Sequence, residues 1–100
     1  MESMQRKYEV AIVLSPDLEA VVANSKSKVE SSITELGGKI VDVDEWGKRR
    51  LAYPIKKHEW GIYYFFYVKF DPKDVKELET KFRYNQEILR FLVTKQEENK

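Results

Sequence analysis

The chain contains no cysteine and a single histidine, with only three prolines and four glycines in 100 residues. Without cysteine there can be no disulfide, no thiol nucleophile and no cysteine-ligated zinc, which fits a reducing compartment. The one histidine, His58, stands in a charged stretch beside Glu59 and has no second imidazole with which to share a metal. No metal and no cofactor are expected. No apolar run approaches the roughly 20 residues that cross a bilayer, and Met1 to Gln5 carry no apolar stretch of the signal-peptide kind, so the expected location is cytoplasmic, away from membranes. A strong overall charge is also missing: 18 basic side chains balance 17 acidic ones to a formal +1. No global field draws the protein toward nucleic acid, and any such attraction must be local.

What is present is 42% hydrophobic, 13% aromatic and 35% charged, enough for a packed interior beneath a heavily solvated surface. A chain of this length buries roughly 60 to 70% of its unfolded surface in one core. One domain over 1–100 is expected, ordered over about 6–95, with a short frayed tail at 96–100. Charge is uneven along it. Residues 15–37 hold four acids against two lysines, whereas 48–57 hold Lys48, Arg49, Arg50, Lys56 and Lys57 with no acid.

Tyr8, Val10, Ile12 and Leu14 alternate with Lys7, Glu9, Ala11 and Val13, the period of a strand with one strongly apolar face. Ser15-Pro16-Asp17 then offers a capping hydroxyl, a proline suited to the first helical turn and a carboxylate for the positive end of the dipole. Leu18, Val21, Val22, Ser25, Val29, Ile33 and Leu36 recur at helical spacing until Gly37-Gly38. Lys39 to Tyr53 reads as a long strand kinked or bulged near Gly47, its pairing ended by Pro54. After a charged connection through Lys56 to Glu59, Gly61 to Val68 is bulky on both faces, as a central strand would be. Asp71-Pro72-Lys73-Asp74 opens a second helix bearing Val75, Leu78 and Phe82, and Ile88 to Thr94 is the last strand.

Strand, helix, strand, strand, helix, strand is the split βαβ order of an α+β, ferredoxin-like domain. It predicts a four-stranded antiparallel sheet with two helices on one face, strands one and three central, and the other face open for binding. Fold alone does not give function. Catalysis finds no support: the loop after strand one has neither glycine nor arginine to cradle phosphate, and Asp42 with Asp44 reads as a solvated pair on one side of a strand. Trp60-Gly61-Ile62-Tyr63-Tyr64-Phe65 departs from the basic-Gly-aromatic pattern of RNA-recognition modules. The strongest feature is Lys48 to Lys57, where Lys48 and Arg50 project to one side of a strand and Arg49 to the other. It reads equally as phosphate-binding charge or as edge-strand protection.

Gly47-Lys48-Arg49-Arg50-Leu51-Ala52-Tyr53-Pro54-Ile55-Lys56 resembles the signature of the bacterial small-subunit ribosomal protein number six family. The likeness extends through Arg6-Lys7-Tyr8-Glu9-Val10, Pro16, Gly61 and Ile88-Leu89-Arg90-Phe91-Leu92-Val93, about residues 6 to 95. The resemblance implies the same ferredoxin-like fold, no enzymatic activity and no small-molecule substrate. It also implies a structural role in the small subunit, binding the central domain of 16S ribosomal RNA as a heterodimer with small-subunit ribosomal protein eighteen, from a chain that is monomeric when isolated. By position it implies RNA or partner surfaces built from Arg6, Tyr8, Lys48, Arg49, Arg50, Tyr53, Lys56, Lys57, Arg83, Arg90 and Lys95. A near-zero net charge then fits a chain that docks with a basic partner. The alternative is a stand-alone RNA-binding or regulatory ferredoxin-like module, which would hold RNA without help; a metabolite sensor that dimerises through its sheet is a third class.

Overall fold

The structure, a computed structural model, describes residues 5–16 and 19–96, with side chains described outside 17–23. The elements are β1 (Arg6–Leu14), α1 (Glu19–Glu35), β2 (Lys39–Ile55), β3 (His58–Phe70), α2 (Val75–Arg83) and β4 (Ile88–Lys95), with a 3-10 turn over Pro72–Asp74 before α2. The strands form one antiparallel sheet in the order β2-β3-β1-β4, so β1 and β3 are central, as the ferredoxin-like order requires.

Alternation decides which face each side chain joins. Tyr8, Val10, Ile12 and Leu14 of β1 meet Val68, Phe66, Tyr64 and Ile62 of β3 in direct register. Together with Phe70 they form the floor on which Val29 and Ile33 of α1 and Leu78 and Phe82 of α2 pack. Phe66, Val10, Leu14, Ile33 and Leu78 are fully buried, each contributing roughly 1.5 to 3 kcal/mol of transfer free energy. The buried positions of α1 are those its helical spacing marks from Ser25 onward; Leu18, Val21 and Val22 lie outside the described side chains.

The helix boundaries follow local chemistry. Gly37, at φ +88°, and Gly38 close α1 through N–H donors to the Thr34 and Ile33 carbonyls. A Cβ on Gly38 would collide with the Phe70 ring, so this glycine also lets α1 lie close to the sheet. Asp71 accepts from the Lys73 N–H at 3.0 Å, which initiates the turn into α2 with Pro72 following. At the start of α1, Ser15 is buried and its N–H donates to the Glu87 carbonyl, and its hydroxyl has no hydrogen-bond partner among the described residues; Asp17 lies outside them.

Two differences from expectation concern β2. It is one strand up to Ile55, with register shifts at Ile40/Asp42, Glu45/Gly47 and Arg50/Ile55. Pro54 therefore sits within a stretch where pairing lapses, and Ile55 pairs again with His58. The connection to β3 is only Lys56-Lys57, at φ +49° and +70°. Both positions are left-handed, as a two-residue hairpin turn of the primed type demands.

Candidate nucleic-acid and partner interface

The face of the sheet away from the helices is organised in rows by register. Lys39, Lys69 and Lys7 form one row, Asp42, Tyr67, Glu9 and Thr94 the next, then Asp44, Phe65, Ala11 and Leu92, then Gly47, Tyr63, Val13 and Arg90, with Arg49 beyond them opposite Gly61. Charge therefore changes sign along the face. Its middle is acidic and aromatic, and the Tyr67 phenol is raised above its ordinary pKa by partial desolvation and by the carboxylates of Glu9, Asp44 and Asp42. Trp46, ejected from the ladder at the bulge before Gly47 (φ +81°), lays its ring 4.7 Å from that of Phe65 and donates its indole N–H to Asp44 Oδ2 at 3.1 Å.

The far end of the same face is basic because the β2–β3 hairpin curls over it. Leu51 of β2 packs with Val13 of β1 and Leu89 of β4, supported by Ile55 and Tyr63, as a second apolar cluster on the open face. Gly61 permits this: a Cβ there would strike Val13 and stand 3.3 Å from Leu51. Leu89 is available because the β1–β4 register shifts between Val13 and Leu14, which pairs Leu14 with Ile88 and leaves Leu89 as the extra residue. The curl carries Tyr53 from the edge strand to the opposite side of the sheet, where the Arg90 guanidinium lies 5.5 Å from its ring centroid. Such a contact contributes about 0.5 to 1 kcal/mol at an exposed site.

Lys56, Arg83 and Arg90, from the hairpin tip, the last turn of α2 and β4, line one cleft of about 290 Å³ over Leu89 and Phe91. Arg83 reaches 6.0 Å from the Phe91 ring and also faces the negative end of the α2 dipole. Lys57 stands beside Lys56 in the turn, both exposed. Arg49 donates its Nε–H to the Trp46 carbonyl at 3.3 Å and lies 5.5 Å from the Trp46 ring, which fixes it on the open face. Lys48 and Arg50 point to the other side of the hairpin, beside Trp60, with Arg50 3.6 Å from Glu59. The two-sided projection expected of this basic strand is what the register produces. Cations converging on one cleft can hold successive phosphates, and guanidinium groups do so with directed hydrogen bonds.

Three of the candidate residues lie elsewhere. Tyr8 is in the main core, 7% exposed, because it shares the helix-facing parity of Val10, Ile12 and Leu14, so its ring is not a surface contact. Arg6 and Lys95 are exposed, but at the opposite end of the sheet, where Arg6 pairs with Phe70 and Lys95 with Tyr8. The length of β1 separates Arg6 from the basic cleft, about 27 Å for eight steps of about 3.4 Å. The residues that sequence reasoning left out are Leu51, Leu89 and Val13, which hold the hairpin down, and the two tryptophans beside the arginines. A tryptophan on either side of a basic run was the available signal.

Four antiparallel strands in this order with two helices on one face define a ferredoxin-like α+β domain, here with cations gathered at the β4 edge, where the tip of the β2–β3 hairpin meets the end of α2. A sequence model of the family described as "Ribosomal protein S6" matches residues 7–95, and the chain belongs to that family. It is 38% identical over 94 residues to the small ribosomal subunit protein bS6 of Moorella thermoacetica, covering 93% of this chain and 96% of that protein. To the bS6 protein of Sulfurimonas denitrificans it is 40% identical over 97 residues, covering 95% and 70% respectively. The crystal structure of the 30S ribosomal protein S6 of Thermotoga maritima superposes with a TM-score of 0.86 at 33% identity, over 92% of this chain and 88% of that one. The family consists of structural proteins of the small ribosomal subunit, for which association with ribosomal RNA is typical. Among the described residues no helix is long and apolar enough to cross a membrane.

Proposed function

We propose that the chain acts as one unit in the cytoplasm, binding the central domain of 16S ribosomal RNA as a heterodimer with small-subunit ribosomal protein eighteen, and that it does so without catalysis. The observation that carries this reading is the convergence of Lys56, Arg83 and Arg90, from three separate elements, on one cleft. Arg49 and Lys57 extend the same positive rim. These groups hold phosphates and orient the domain on its RNA, while sequence information comes from local RNA shape. The acidic, aromatic middle of the open face, with Glu9, Asp42, Asp44, Tyr67, Phe65 and Trp46, suits a basic protein partner. Placed side by side, the two halves let partner and RNA meet along one seam, which makes assembly cooperative. Isolated, the chain is a monomer.

The test is a titration of the 16S central-domain fragment with the protein alone and with protein eighteen present, across a salt series. Tight, salt-sensitive binding only with the partner supports the heterodimer as the binding unit. Equally tight binding by the protein alone replaces it with a stand-alone RNA-binding module, and no binding in either arm removes the RNA role.

A further inference from the structure

On the side of the β2–β3 hairpin that shares the parity of the helix-facing residues, Lys48, Arg50 and Trp60 are exposed. On that side, Arg50 is directly opposite Trp60, and Lys48 is opposite Ile62, one diagonal step away. The Lys48 ammonium lies 5.6 Å and the Arg50 guanidinium 5.9 Å from the Trp60 ring centroid. Trp60 is 41% exposed, whereas Phe66, Phe70 and Phe82 are buried. Beside it the lapse in pairing between Arg50 and Ile55 leaves a hollow of about 120 Å³ bordered by Arg50, Pro54 and Glu59. None of these groups contributes to the cleft of Lys56, Arg83 and Arg90, which the opposite side of the hairpin faces.

Cations that protect an edge strand need no tryptophan between them, and an exposed tryptophan needs no pair of cations. Together they provide both parts of a single-stranded nucleic-acid contact: a flat aromatic surface for one base and flexible positive groups for the phosphates on either side. We infer that Trp60, Lys48 and Arg50 form a stacking site for one unpaired base of RNA. The inference rests on the RNA-binding reading above and adds a second side to it: the hairpin is held between RNA in the cleft and an unpaired nucleotide on its back. On binding, a phosphate takes Arg50 from Glu59, whose exposed ion pair is weak. The base occupies the indole face.

The chain has two tryptophans, so Trp46→Phe leaves Trp60 as the sole indole reporter. At low salt, a ten-nucleotide oligoadenylate should quench its emission, with the quenching lost as salt rises. A duplex RNA of equal length and polyglutamate should leave it unchanged. In the assembled complex with the central-domain fragment and protein eighteen, Trp60→Ala should weaken binding about 5- to 100-fold with an unchanged salt slope, as expected for lost stacking. Trp60→Phe should recover part of the loss. Lys48→Gln and Arg50→Gln should each reduce the salt slope by about one. Quenching by polyglutamate equal to that by RNA would make this an acidic-peptide site and overturn the proposal. So would a wild-type complex that forms normally and is indifferent to Trp60→Ala, a result that leaves the ribosomal reading intact. If the wild type forms no complex, the RNA-binding reading fails and this site falls with it.

Discussion

Two apolar clusters lie on opposite faces of one sheet, and β1 feeds both: Val10, Ile12 and Leu14 enter the large one beneath the helices, and Val13 enters the small one under the hairpin. The large cluster buries Phe66, Phe70 and Phe82 almost completely, whereas Val13, Leu51 and Leu89 keep 6 to 9% exposure. The first determines that the chain folds. The second contributes less to that and also sets where Tyr53, Lys56 and Arg90 come to rest. Most of the stability and the placement of the exposed cations are thus carried by different side chains, often neighbours in sequence.

The sharpest check of this division is a pair of truncations. Phe66→Ala should cost about 3 to 5 kcal/mol in denaturant unfolding, because a large cavity opens in a core that cannot collapse around it. Leu51→Ala should cost about 2 kcal/mol, the low end for a buried leucine, because its cluster lies at the rim. Its larger effect should be local, with faster amide exchange over residues 49–60 and little change in β1 and β3. Equal losses from both variants would show that hairpin and core are one cooperative unit. Arg90→Glu tests the other half of the division. Unfolding free energy should fall by no more than about 1 kcal/mol, the loss of the Tyr53 contact, while affinity for the RNA with its protein partner should fall at least about tenfold, most strongly at low salt.

A smaller effect of opposite sign is expected at the hairpin tip. Replacing Lys56-Lys57 by Asn-Gly puts residues suited to positive φ where lysines now stand at +49° and +70°, and should raise stability by about 1 kcal/mol. The same change should reduce the salt slope of RNA binding by up to about two. A stability gain with no loss of binding would remove both lysines from the interface. The smallest effect concerns the Lys26–Glu45 pair, N to O 2.6 Å, which joins α1 to β2. The Glu45 hydrogen bond raises the Lys26 pKa against the opposing effect of burial. A raised lysine stabilises the fold fully below its unfolded value, near 10.4, and ceases to do so as pH rises through the higher folded value. Glu45→Gln should therefore cost a few tenths of a kcal/mol from neutral pH to about 10, and the difference from wild type should close above that.

The sites read differently from the fold. Tyr8 shares its alternation with Val10, Ile12 and Leu14, so the pattern alone placed it in the core, and only family resemblance had moved it to the surface. The projection of Lys48 and Arg50 opposite to Arg49 was legible, because the period of a strand is fixed by its covalent geometry. The two-residue turn at Lys56-Lys57 was not, because lysine carries none of the glycine or asparagine signal that marks a left-handed turn. Nor was the contact of Tyr53 with Arg90, which depends on a curl permitted by Gly61 and a register shift that frees Leu89.

By itself, then, the sequence determined the order of strands and helices, the face that packs beneath the helices, and the basic character of β2. Periodicity, capping residues and charge are local properties, and they need only a few neighbouring residues to act. Tertiary structure alone decided that cations from the β2–β3 turn, α2 and β4 share a cleft while Arg6 and Lys95 stand a strand's length away. Their separation depends on register, bulges and the curl of one hairpin, which are settled only when distant side chains compete for the same buried space.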